Sequence, residues 1–82
     1  MKMIESEYCY LCNRLASEYH EILYGRNRKL SIKYGLQVPL CRTCHRRLHD
    51  NPKSEEDLKL RSEARKYFEN TYPALDFIEV FK

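Results

Sequence analysis

The sequence predicts a small α+β domain stapled by zinc: a strand pair and a short helix around metal ligands, with an added C-terminal helix. Three observations carry that prediction. Cys9 and Cys12 form one C-x2-C knuckle and Cys41 and Cys44 a second, a pairing typical of tetrahedral zinc sites. Residues 19–24 and 36–40 interleave β-forming and polar side chains, as half-buried strands do. Leu60, Ala64, Tyr67 and Phe68 recur at i, i+4, i+7 and i+8, one stripe of an amphipathic helix.

Taken in order, "CYLCNR" reads as a tight turn, and the first strand follows over residues 19–24 until Gly25 ends it. The stretch "GRNRKLSIKYG" is a basic, glycine-bounded loop with room for one helical turn closed by Gly35. In "LQVPL", Leu36, Val38 and Leu40 alternate with Gln37 and Pro39, which predicts a second strand with one buried face. Pro39 has no N–H to donate and favours an edge. A short helix is predicted over residues 42–50, stopped by Asn51-Pro52 because proline disfavours helical geometry in the residue before it. Ser54 with Asp57 is a shortened capping box that opens the long helix, and Tyr72-Pro73 closes it. The tail "DFIEVF" is expected as a short strand or an extended apolar strap. The whole chain, 1–82, thus reads as one domain: knuckles and core over 9–50, a packing helix over 54–70, and the tail over 74–82.

At 82 residues such a domain buries only about 60 to 65% of the surface its unfolded chain exposes, so a core alone is marginal and another staple is expected. The four cysteines are the candidates. "MKMIESEY" has no signal-peptide run and no stretch approaches the roughly 20 apolar residues of a membrane span. The expectation is therefore a cytoplasmic protein, no membrane partner, and thiols that stay reduced. The net charge of +3 says less than its distribution. Between Glu21 and Asp50 no acid occurs, while Arg26, Arg28, Lys29, Lys33, Arg42, Arg46 and Arg47 do. A scattered basic run is usually a solvated face, but this one lies among metal-ligand residue types and points to a nucleic-acid partner.

Each knuckle presents two thiolates, so Cys9, Cys12, Cys41 and Cys44 are expected to hold one structural Zn2+ at about 2.3 Å. Twenty-eight residues separate the knuckles, longer than a zinc ribbon and suited to an inserted strand pair. A redox C-x-x-C would need a strand-helix context that is missing here. His45 and His49 lie on one face of the short helix, within reach of a common ion. Two rival readings stand beside that one. A single mixed site of Cys9, Cys12, His45 and His49 would strand the second knuckle, and a plain pair of surface histidines would bind nothing.

In "YHEILYG", "YGLQVPLC" and "CRTCHRRLH" the chain resembles the HNH, or ββα-metal, nucleases, over residues 9 to about 49. Small phage-type members of that family carry two zinc knuckles. The resemblance implies a ββα-metal, treble-clef-like hairpin and helix gripping one catalytic divalent metal (Mg2+, Mn2+, Ni2+ or Zn2+), with the knuckles as scaffold. It implies His20 as the general base that activates water, and His45 and His49 as helix ligands. Tyr19 stands where a further ligand is expected, and the family's middle asparagine aligns near Gly35. Histidine suits the base role because its ordinary pKa is near neutral.

The function expected is a metal-dependent endonuclease hydrolysing phosphodiester bonds in DNA. Its phosphate contacts would come from the seven basic residues, which position the backbone without reading sequence. The alternative is a zinc module, catalytically weakened by Tyr19, that binds nucleic acid or a partner protein.

Overall fold

The computed structural model describes residues 2–81, so Met1 and Lys82, the ends of the expected domain, lie outside the described residues. Strand β1 (Glu18–Glu21) pairs antiparallel with β2 (Gln37–Leu40), with Glu18 opposite Leu40 and His20 opposite Val38. Between them run a 3-10 turn (Gly25–Asn27) and helix α1 (Arg28–Tyr34). The helix makes two turns where one was expected. Gly35 closes it at φ 71, a left-handed conformation that glycine adopts without a Cβ penalty. Ser31 explains the extra turn: its buried hydroxyl donates to the Leu23 carbonyl and accepts from the Leu23 N–H at 3.1 Å, docking α1 on the end of β1.

All four residues of β2 are buried, not the alternating one-sided pattern expected. The N-terminal segment runs along its free edge and packs Met3, Ile4 and Leu11 on the core: Tyr10 N–H donates to the Pro39 carbonyl at 2.9 Å and Met3 N–H to the Gly35 carbonyl, just before the strand, at 2.7 Å. Helix α2 (Arg42–Asp50) starts on Cys41, and α3 (Glu55–Thr71) starts on Ser54, whose hydroxyl accepts from Asp57 N–H as the cap pattern predicts. Leu60, Ala64 and Phe68 are buried as their spacing requires, and Tyr67 is half-buried against them. The tail forms neither strand nor extended strap. It is one helical turn, α4 (Phe77–Val80), capped by Asp76 and packed through Phe77 and Phe81 edge-on against Phe68. A strand there would have needed a free sheet edge to pair with, whereas the Phe68 ring offers a packing surface instead.

The core joins Ile22, Leu36, Val38, Leu40, Leu48, Leu60 and Phe68, and lies between the sheet and the helices. The radius of gyration of 12.3 Å matches the roughly 12 Å of a compact chain this long. No helix among the described residues is long and apolar enough to cross a membrane. What matters for the site is that β1 and α2 face each other across the core, joined by β2 running directly into Cys41.

Candidate metal centres

The first knuckle is a turn stitched by backbone hydrogen bonds: Asn13 N–H donates to the Cys9 carbonyl at 2.9 Å, and Asn13 takes a positive φ of 65, which asparagine tolerates. The second is the start of α2, where Cys41 caps the helix and its Sγ accepts from Cys44 N–H. All four thiols are free, and one ligand atom from each lies within 4.8 Å of the others. Cys12 Sγ and Cys41 Sγ are 3.6 Å apart. That is too long for a disulfide and close to the ~3.8 Å expected between two sulfurs on one tetrahedral zinc. Burial works against ionising Cys9, but backbone N–H groups of Cys41, Cys12 and Leu11 outweigh it and bring its pKa down to about 6. Cys44 goes the other way, to about 12, through burial and the neighbouring thiols. Four thiolates cannot share this space without a cation, and the cluster can hold a metal ion suited to zinc.

The second group is His20, His45 and His49, whose ligand atoms also lie within 4.8 Å of one another. His20 comes from β1 and its side chain is sealed from solvent, while His45 is half-buried and His49 exposed at the open side. The Nε2 atoms of His45 and His49 are 3.0 Å apart, within the ~2.9 to 3.3 Å that two nitrogens keep on one ion at octahedral or tetrahedral angles. Glu18 accepts from His45 Nδ1 at 2.8 Å, fixing the tautomer that leaves Nε2 free to ligate. Both ring nitrogens of His20 are buried without a hydrogen-bond partner, as expected of a donor waiting for an ion. Burial first, then the nearby His45 and His49, hold its pKa down at about 4, so the imidazole is neutral and its lone pair available. The residues present therefore fit a metal in both places.

No protein-family model, curated protein or solved structure matches this chain.

Tyr19 is not in this group. Strand alternation turns it to the other face of the sheet, where the Lys2 ammonium lies 4.7 Å from its ring centre. The basic residues divide as well. Arg28 pairs with Glu21 and Arg47 with Glu56, while Lys33 lies over the Tyr34 ring. Arg26, Lys29, Arg42 and Arg46 are exposed and in no ion pair among the described residues. Arg42 and Arg46 line an open cleft on α2 with Thr43, Asp50 and Asn51.

Sequence reasoning missed Glu18, Tyr24, Asp57 and Arg61. Glu18 had a readable signal, since it stands two residues before His20 and shares its strand face. Tyr24 packs 5.4 Å from His49 and 6.0 Å from His20, and the Arg61 guanidinium lies 5.1 Å from the Tyr24 ring centre. Those contacts join a loop to α3 and have no local pattern to betray them.

Proposed function

We propose that the chain is a metal-dependent endonuclease of HNH type that hydrolyses phosphodiester bonds in DNA on a ββα-metal core, with zinc in the four-cysteine cluster as its scaffold. The observation that carries this reading is the convergence of three imidazoles from β1 and α2, one sealed and one open to solvent. A divalent ion held there (Mg2+, Mn2+, Ni2+ or Zn2+) supplies charge stabilisation for the scissile phosphate and its leaving oxygen. His20 serves as the third ligand, not as the base, because its nitrogens cannot reach bulk water. The base position of the resemblance is then left open, because Glu21, next along β1, turns by strand alternation to the face that Tyr19 shares.

Glu21 is ionised at neutral pH. Burial alone would raise its pKa, but hydrogen bonds from Arg28 at 3.0 Å and Gln37 at 3.2 Å lower it. Both of its oxygens are thus held away from the three imidazoles, and in this scheme Arg26, Lys29, Arg42 and Arg46 hold the phosphate backbone. The same arrangement favours a second reading. A centre with no carboxylate base beside its three imidazoles suits a zinc module that binds nucleic acid or a partner protein without cutting.

Plasmid cleavage under each of the four metals separates the two. The wild type nicks DNA under at least one, and His45→Ala and His49→Ala each lower the rate on the order of 100-fold or more while DNA binding persists. Binding without cleavage under every metal would leave only the module.

A further inference from the structure

Three buried side-chain polar atoms among the described residues lack a hydrogen-bond partner: Nδ1 and Nε2 of His20, and Oδ1 of Asp57. An unpaired buried polar atom costs about 1 to 3 kcal/mol, so three in one small domain require an explanation. A metal on the histidine group accounts for one nitrogen of His20. The other nitrogen must then carry the proton, and a buried N–H needs an acceptor. The only buried side-chain acceptor without a donor among the described residues is Asp57 Oδ1.

Asp57 belongs to α3, about which the nuclease resemblance is silent. Its side chain is completely buried, and its other oxygen is satisfied by Lys53 N–H at 3.1 Å and Arg61 Nε at 3.0 Å. Helix capping explains that second oxygen and leaves Oδ1 unexplained. The Arg61 guanidinium lies against Tyr24, whose ring packs on both His20 and His49, so α3 reaches the histidine group through Arg61 and Tyr24.

We infer that Asp57 is a positioning residue of the histidine centre: its Oδ1 accepts, through one water, from the non-ligating N–H of His20 and so sets which nitrogen faces the ion. His45 already has such an acceptor in Glu18, and a metal-bound histidine normally has one. The inference rests on the histidine group binding metal, as in the proposed function, but not on cleavage.

The test is metal binding by the zinc-loaded full chain, with Ni2+ or Zn2+ titrated into the second site of wild type, Asp57→Asn and Asp57→Glu. Asp57→Asn is expected to weaken the second site 10- to 100-fold with the cysteine zinc retained, and Asp57→Glu to recover part of that loss. Imidazole 15N spectra of the metal-loaded wild type supply a reading that needs no variant. They are expected to show His20 as a single tautomer with a slowly exchanging N–H, and a rapidly exchanging one would overturn the inference. Affinity within twofold of wild type in folded Asp57→Asn overturns it alone, whereas a wild type with no second metal equivalent overturns it together with the proposed nuclease.

Discussion

The two candidate metal-binding groups share helix α2 but are built differently. Cys41 and Cys44 sit at its start and meet a second knuckle that is itself a closed turn, so each half of the cysteine group is fixed by a few consecutive residues. His45 and His49 sit further along and depend on His20, which reaches them only because β1 pairs with β2 in one register. The cysteine group is local structure brought together once. The histidine group is a product of the finished fold, and it depends on outer partners, Glu18 from β1 and Tyr24 with α3 behind it. That difference predicts an order of dependence: the cysteine site forms without the histidine site, but not the reverse.

The largest effect tests that order. Stripping zinc with a strong chelator, or Cys44→Ser, removes a contribution of about 10 to 16 kcal/mol, comparable to the entire stability of a small domain. The expected outcome is loss of the cooperative melt by circular dichroism and loss of metal from both sites. His49→Ala, at an exposed position, should keep the fold and one zinc per chain while losing only the second metal. A chelated protein that still melts cooperatively would break the comparison.

The same asymmetry governs what could be read before folding. The C-x2-C spacing, the helix over Arg42–Asp50 and the Leu60, Ala64, Phe68 stripe were legible because each is set within one or two helical turns. The tail was misread because an apolar "DFIEVF" has no period of its own, and the choice between strand and helix fell to a neighbour, Phe68. The facing of β1 was misread for a related reason. A period of two says that Tyr19 and His20 point oppositely, but which of them faces α2 is decided by register against β2. Carrying the family pair onto Tyr19 and His20 therefore assigned a ligand to the residue that turns away. Asp57 was legible as a capping residue only, since its burial comes from the packing of α3 on the core.

A middle-sized effect sharpens the comparison through pH. With the cysteine zinc bound and the histidine group metal-free, His20 has a pKa of about 4 instead of the ordinary 6.5. The unfolded chain then takes up a proton at a higher pH than the folded one. Stability is whole above pH 6.5, falls as pH drops toward 4, and loses on the order of 3 kcal/mol across that window. The measurement is denaturant unfolding of wild type against His20→Leu from pH 7 to pH 4.5, so that acid sensitivity of the thiolates is common to both. Parallel curves, or an NMR titration of His20 near 6.5, would show that the imidazole is not sealed in the fold.

The smallest effect concerns the partially exposed outer partner. Glu18 accepts from His45 Nδ1 at 2.8 Å, with its own side chain 44% exposed and that of His45 20% exposed. In Glu18→Gln an amide oxygen can still accept, but the charge that strengthens His45 as a ligand is gone, and water competes for the bond. The expected loss in second-site metal affinity is about tenfold, the lower end of what such partners contribute, with fold and cysteine zinc unchanged. The comparison with Asp57→Asn then becomes quantitative. Both variants remove a carboxylate charge beside a histidine, but Asp57 is fully buried, where charge is screened least. If depth in the fold sets the strength of these outer contacts, metal titration will find the Glu18→Gln loss smaller than the Asp57→Asn loss. An equal or larger loss at Glu18 would mean that the open, helix-borne side of the centre holds the ion, and that the strand-borne His20 contributes little.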